Sequence, residues 1–411
     1  MRIAVVGSGM AGLAAAHGCN ALGHSVTLFE SQASHGMAAH TLEIDGGRVD
    51  IPLRVMGEGP WDETLALARS VGVDSFATEV RLSCSLIGGE TWMRSRYMPV
   101  TGWPMVGSWR YLGLNSLRCS IGMARLMLAA RMLGRDERDR PLTEFLARHD
   151  PDRLFWRGVM LPVLGTICTC KEQQLNDWPA GQLLSLLDSI SRQGRLRRLT
   201  GGTARLAEAL AEGSSLIAGA AVSLAREDQQ GVLVAVQGQA PKRFDRVIVA
   251  TQANQLDFLD ETQFGDERDY LARIPYVEGE LVVHRDQQAM PRRESDWTAL
   301  NFLTDPDLDQ SMFTVWVNAV EPSLAGKAPV FQSWDPIIEL DPDQVISRIP
   351  LQRAVVNPSS LGVPETLKRW HQQPGRRVFY CGAWAHEGVP LLETAVRSAK
   401  AVVEQIRLAA E

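Results

Sequence analysis

The N-terminal segment limits the possible folds of this chain more than any other feature. Arg2 to Val6 is a short apolar run, followed by Gly7-Ser8-Gly9-Met10-Ala11-Gly12, a helical stretch from Leu13 to Leu22, and a second strand, Ser25 to Phe29, ending in Glu30. This is a βαβ dinucleotide fingerprint in its required context. The first glycine permits a tight turn, the second lets backbone approach a pyrophosphate, and the third allows close helix–strand packing. The helix start then offers free N–H groups and a positive dipole end to phosphates. Glu30 lies where an acid accepts hydrogen bonds from adenosine ribose hydroxyls, which favours FAD or NAD over NADP.

At 411 residues the chain is long enough for two or three units, since a domain usually holds roughly 100–200 residues. With 45% hydrophobic residues it can bury its own core, which excludes disorder and a small disulfide scaffold. A net charge of −6, spread along the chain, gives no long-range attraction to nucleic acid. Cysteines at 19, 84, 119, 168, 170 and 381 show no CxxC pair and no paired zinc spacing. They point to reduced thiols in a cytoplasmic compartment and to no metal site. No apolar run reaches the roughly 18 residues that span a membrane. The alanine-rich N-terminus, with glycines at turn spacing and a strand directly after, is expected to be folded structure and not a leader.

The rest of the chain separates FAD from NAD. A nicotinamide dehydrogenase would continue with regular βα alternation, whereas Thr41 to Val49 reads as a hairpin around Asp45-Gly46-Gly47. At the C-terminal end, a strand from Val378 leads into Gly382-Ala383-Trp384, and after Pro390 comes a long helix, Leu391 to Ala409. A strand, a glycine and a helix start returning there suit a longer ligand carrying a flavin ring. In the middle, Gly201 to Leu210 opens an amphipathic helix, and Leu216 to Leu224, Gly231 to Gln237 and Phe244 to Thr251 read as strands. The expected architecture is α/β: a Rossmann-like FAD-binding fold made from 1–80, 196–265 and 351–411. A mostly helical substrate or cap region, 81–195, and a β-rich substrate region, 266–350, interrupt it.

Together these features resemble the flavin-containing amine oxidoreductase superfamily of monoamine oxidases, protoporphyrinogen oxidases and phytoene-type desaturases, and within it a bacterial group of NAD/FAD-binding proteins. The likeness covers nearly the whole chain. It rests on GSGMAG with Glu30, the Gly201-Gly202 helix, the strand Phe244 to Thr251, the stretch His284 to Arg293, Trp297 to Asn301, Thr314 to Asn318 and Gly382-Ala383-Trp384. The resemblance implies FAD as cofactor. Gly7, Gly9, Met10, Ala11 and Gly12 would cradle the pyrophosphate, Glu30 with Ser31 would bind the ribose, and Val222 would offer its backbone to the adenine. Gly382 and Ala383 would meet the ribityl–phosphate arm, and Leu392 to Ala395 would face the flavin pyrimidine. His40 and Thr41 fall where side chains reach a phosphate or the flavin edge.

The departures from the family pattern are local. The usual Gly-Gly-Arg or Gly-Gly-His-Thr is Gly36-Met37-Ala38-Ala39-His40-Thr41 here, so the phosphate-contacting arginine is missing. Arg54 either replaces that charge or lines a surface or substrate pocket. The aspartate–any–glycine beside the flavin has become Asp50-Ile51-Pro52. Amine oxidases place a lysine near flavin N5, and the matching segment, Ile274 to Leu281, has Glu280 instead. Only five lysines exist, at 171, 242, 327, 368 and 400, and none falls there.

The chemistry implied is hydride removal from carbon, by desaturation or double-bond isomerisation, on an apolar or amphipathic small molecule. Two other readings stay open: an amine or amino-acid oxidase, and a non-catalytic flavin-binding subunit of a partner enzyme. Trp384 is either pocket wall against the flavin or packing, and His386 with Glu387 is either an acid–base pair near substrate or solvated loop. His284 is expected to cap a strand, and Cys168-Thr169-Cys170 to shape the cavity, since CxC suits a strain-free disulfide poorly. The Trp- and Met-rich stretch 92–133, with Trp103, Trp109 and Tyr111, continues into a basic amphipathic run. That run could lie on a membrane surface and admit an apolar substrate, or face the core with solvated arginines.

Overall fold

A five-stranded parallel sheet grows around the first strand in this computed structural model, which describes residues 1–97, 104–191 and 196–409. Its order is Ser215–Ile217, Ser25–Phe29, Arg2–Val6, Arg246–Val249 and Val378–Tyr380, so strands remote in the chain become neighbours. Ile3 and Val5 point to one core, Ala4 and Val6 to another. A sheet buried on both faces needs such an uninterrupted apolar run. One face is covered by helices Met10–Ala21, Gly202–Ala211 and Leu392–Leu408. The other packs against a three-stranded sheet, Val222–Asp228, Gly231–Val236 and Lys242–Phe244, and helices Glu261–Leu271 and Val363–His371.

The expected strand Leu216 to Leu224 does not exist as one element. Ser215–Ile217 is the edge of the parallel sheet, and Val222 begins the three-stranded one. Gly219, with φ +71°, turns the chain between them, a left-handed conformation that glycine takes without a Cβ penalty. The Thr41–Val49 hairpin is present as Leu42–Ile44 paired with Gly47–Val49. The C-terminal helix runs from Leu392 to Leu408.

An eight-stranded sheet forms the second layer system, in the order Val345–Ala354, Tyr276–His284, Phe331–Trp334, Ser311–Trp316, Leu300–Thr304, Leu82–Leu86, Thr91–Tyr97, Pro104–Val106. All its pairs are antiparallel except the parallel one between Leu300–Thr304 and Leu82–Leu86. The segment after residue 81 thus starts with strands of this sheet before becoming helical. Helix Leu161–Cys168, entered through a π-turn at Trp156–Met160, packs on this sheet; Phe155, Trp156, Leu164, Leu183, Phe302 and Phe313 share its core. His284 ends a strand but is fully buried, with Nε2 2.9 Å from Ser333 Oγ. No helix among the described residues is long and apolar enough to cross a membrane.

Candidate functional site

The three N-terminal glycines have separate physical jobs. Gly7 has φ +99°, and a Cβ there would lie 2.9 Å from the carbonyl oxygen of Ala250. At Gly12 a Cβ would fall 1.9 Å from the Gly7 carbonyl oxygen, so the helix can sit on the strand only without a side chain. Gly9 is the opposite case: a Cβ there would meet nothing within 4 Å. Gly9 caps helix Met10–Ala21, whose first turn carries no acidic side chain and receives no side-chain cap. Its free N–H groups and positive end therefore face open space.

That space is a cavity of about 440 Å³ between the parallel sheet and the eight-stranded one. Gly9, Met10, Ala11, Gly382, Ala383, Trp384, Leu392 and Ala395 line one side, as does the loop Pro52 to Met56. Val163, Ile167, Leu281, Leu300, Phe313 and Val315 form the apolar opposite wall. Among the described residues that line it, Arg54, Arg353 and Tyr276 are the titratable ones. Burial pushes the Tyr276 phenol well up, and its oxygen accepts the Ala253 N–H at 2.7 Å. None of the five lysines lines the cavity, and Glu280, on the same strand as Tyr276 and Leu281, pairs with Arg348 of the neighbouring strand at 2.6 Å.

The cavity brings together most of the predicted residues and leaves others apart. Trp384 is held by its Nε1–H, which donates to the Thr251 carbonyl oxygen at 3.0 Å. Arg54 donates through Nη1 to Thr203 Oγ1 at 3.0 Å. His40 stands close enough to Arg54 that burial first, then this guanidinium, lowers its pKa. Thr41 sits in the following turn, its N–H on the Ala38 carbonyl. Val222 lies in the three-stranded sheet and outside the cavity lining. His386 lines a neighbouring cleft with Arg138 and Asp139, its Nδ1 2.9 Å from the Glu387 carbonyl oxygen. Trp103 lies outside the described residues.

Glu30 is occupied by its own loop. Oε2 accepts from Ser8 N–H at 2.9 Å and Ser8 Oγ at 2.6 Å, while Oε1 accepts from Gln32 N–H at 2.9 Å and Ser31 Oγ at 3.2 Å. Ser8 Oγ in turn accepts the Gly36 N–H at 2.8 Å. A carboxylate has about four acceptor sites. A ribose at this acid would therefore displace a Ser8 or Ser31 hydroxyl.

Arg353 escapes sequence reading as a site residue, whereas Thr169 belongs to the Cys168-Thr169-Cys170 stretch expected to shape the cavity and does line it. Arg353 is one of thirty-seven arginines on an unremarkable strand, and only the fold brings it beside 168–170. Thr169 carried a weak signal, its place between two cysteines after an apolar helix. Those cysteines are free and buried, and hydrogen-bonded to each other as thiols.

Residues 5–68 match the family model described as an NAD(P)-binding Rossmann-like domain. No curated protein matches the chain by sequence. A double mutant of putrescine oxidase, from a redesign of its cofactor binding, superposes with a TM-score of 0.72 at 16% identity, covering 99% of each chain. The chain has the putrescine oxidase fold. A CLA-producing fatty acid isomerase from P. acnes is similar at a TM-score of 0.68, with 16% identity and 98% of each chain covered. So is an oxidoreductase from Methanosarcina mazei, at 0.68 and 14%, covering 98% of this chain and all of that one. The α/β architecture expected from the βαβ motif, with a substrate unit inserted into a Rossmann-like fold, is thus the putrescine oxidase fold over essentially the whole chain.

Proposed function

We propose that this protein is an FAD-dependent oxidoreductase that removes hydride from carbon on an apolar or amphipathic small molecule, by desaturation or isomerisation. One observation carries the reading: a single cavity runs from an uncapped helix N-terminus at Gly9 to Ala11, past Ala383 and Trp384, to an apolar wall on the substrate sheet. Helix start, open glycine and the unpartnered, buried Gln252 Oε1 fit a long ligand with phosphates and a polar ring. Bound FAD supplies a two-electron acceptor for hydride.

The chain's own residues do the positioning. The N–H groups of Met10 and Ala11 would hold the phosphates, Trp384 is fixed by Thr251, and the start of helix Leu392–Leu408 would offer its positive end to the flavin pyrimidine. Val163, Ile167 and Phe313 exclude water and align the carbon skeleton. Among the described residues the lining offers no carboxylate, histidine or lysine as base, and Tyr276 stays a neutral phenol. The two arginines that line the cavity disfavour an ammonium substrate, which argues against the amine-oxidase reading. A yellow protein whose visible absorbance bleaches anaerobically with an unsaturated or saturated acyl substrate is expected. A colourless protein that takes up no FAD would falsify the reading.

The substrate would be met at an anionic lipid surface. Residues 91–135 contain seven arginines and no acidic residue, in a chain of net charge −6. Among the described residues, seven of the twelve exposed large hydrophobics fall within 109–132. Both properties suit an interfacial helix.

A further inference from the structure

Around the cavity, positive charge exceeds negative. Arg54 and Arg353 line it, and Asp50, which lies near Arg54, shares the buried Arg198 behind the lining with Glu321. Glu321 accepts from Arg198 Nη2 at 2.8 Å. Asp50 Oδ1 accepts the N–H and hydroxyl of Thr203, both at 2.9 Å, and Oδ2 lies 3.8 Å from Arg198. Among the described residues no carboxylate forms an ion pair with Arg54 or Arg353 at 4 Å or less, and the two guanidinium groups are near enough to repel each other. Both line the cavity. The groups facing Arg353 from 168–170 are thiols, and the Cys168 thiol, held by its hydrogen bond with Cys170 and then by burial, stays neutral.

A third donor converges on the same place. Thr169 ends helix Leu161–Cys168 in the left-handed region, φ 47°. A non-glycine residue there is strained and persists where its surroundings impose it. Its side chain is 5% exposed, lines the cavity, and its Oγ1 has no hydrogen-bond partner. A guanidinium without an ion-pair partner and a buried hydroxyl without a hydrogen bond are both stabilised by an anionic ligand.

We infer that Arg353, Arg54 and Thr169 form an anion clamp, so that the substrate is an acid: an apolar chain ending in a carboxylate or a phosphate monoester. The clamp rests on the reading of the cavity as a cofactor-and-substrate chamber and narrows its substrate class. An arginine fork matches either oxyanion in bidentate fashion, and the Thr169 hydroxyl donates a further bond. The apolar walls take the chain while the clamp fixes its end, so the position along the chain that meets the flavin is set by distance from the acid.

Calorimetric titration of the FAD-loaded full chain with decanoate, decyl phosphate, decanol and decylamine tests this. At least one of the two acids should bind tenfold or more tightly than decanol and decylamine, and the stronger identifies the headgroup. Arg353→Gln should remove that preference while leaving decanol binding unchanged, and Arg353→Lys should restore part of it. Thr169→Val, a nearly isosteric change, should weaken acid binding about threefold and serves if Arg353→Gln does not fold. Equal binding of acids and alcohol, or a preference that survives both variants, overturns the clamp. A yellow protein without acid preference defeats the clamp alone, whereas a protein that takes no FAD yet prefers acids defeats the cofactor reading alone.

Discussion

At the residue scale, Gly9 and Gly12 make opposite predictions from the same motif. A methyl group at position 9 meets open space, so Gly9→Ala should fold with unchanged apoprotein stability. It would stand where the pyrophosphate backbone approaches, and FAD affinity should fall at least tenfold in a fluorescence titration. Gly12→Ala, with its Cβ 1.9 Å from a carbonyl oxygen, should fail to give folded protein; a well-folded Gly12→Ala variant would show that this turn relaxes easily. The glycines were legible because their spacing reports backbone constraint within a single turn. Glu30 was legible as an acid at the right distance, but its four intrachain bonds were not, since the loop 31–36 shares no pattern with them. Arg353 was beyond reach for a different reason: its meaning lies in what fails to neutralise it, and that depends on four segments brought together from far apart.

Helix Leu114–Met132 shows what an element can conceal. Its inner face buries Ser116, Cys119 and Leu126. At 100° per residue, Leu114, Leu117, Ile121, Leu128 and Met132 lie within about 60° of one another, and all five are exposed. A helix apolar on two sides needs two partners, and the core supplies one. Arg125 lies in the same outer stripe, and Trp109, 89% exposed, precedes it. Arg118 and Arg131 are paired with Asp152 and Asp188, which leaves apolar area as the larger contribution to lipid binding. Leu114→Glu combined with Leu117→Glu should therefore abolish co-sedimentation with anionic vesicles and leave melting temperature and FAD content unchanged. Undiminished sedimentation of that variant would remove the lipid-surface proposal. Sequence periodicity showed the helix and its arginines; it could not show which of two apolar stripes the core takes.

For the whole molecule, acid should act through two buried histidines as well as the usual carboxylates. Burial lowers His284 to about 4 and His371 to about 3, the latter helped by Arg376, and His371 Nε2 accepts the Tyr380 N–H at 2.9 Å. A histidine depressed in the folded state is protonated first in the unfolded chain. Stability is therefore intact well above pH 6.5 and declines as pH falls toward 4, by about 1.6 kcal/mol per histidine between pH 6.5 and 5. Urea unfolding across that interval should lose about 3 kcal/mol, and His371→Gln, whose amide oxygen can still accept from Tyr380, should lose about half as much. A pH-independent midpoint would show that these rings are hydrated in the native protein.

The strand order explains why a cofactor should stabilise the chain as a unit. The parallel sheet is assembled from strands at 2–6, 25–29, 215–217, 246–249 and 378–380, so neither chain end folds it alone. The eight-stranded sheet is inserted between them, and the cavity is walled by both. A ligand filling that cavity binds only when both layers are in place, so its binding energy should appear in the unfolding of both. At a hundredfold excess over Kd, FAD contributes about 2.7 kcal/mol. With an unfolding entropy of about 2.1 cal/mol/K per residue, a chain of 411 residues should gain about 3 °C in Tm. The same rise is expected whether unfolding is followed by near-UV signal of Trp384 beside the nucleotide fold or by tryptophans of the substrate sheet such as Trp316 and Trp334. If FAD raised only the first transition and left the second in place, the two layers would be separate folding units and the cavity a surface of one of them. A common shift instead makes the wall of the cavity part of the same cooperative core, as the proposed chamber for a flavin and its substrate requires.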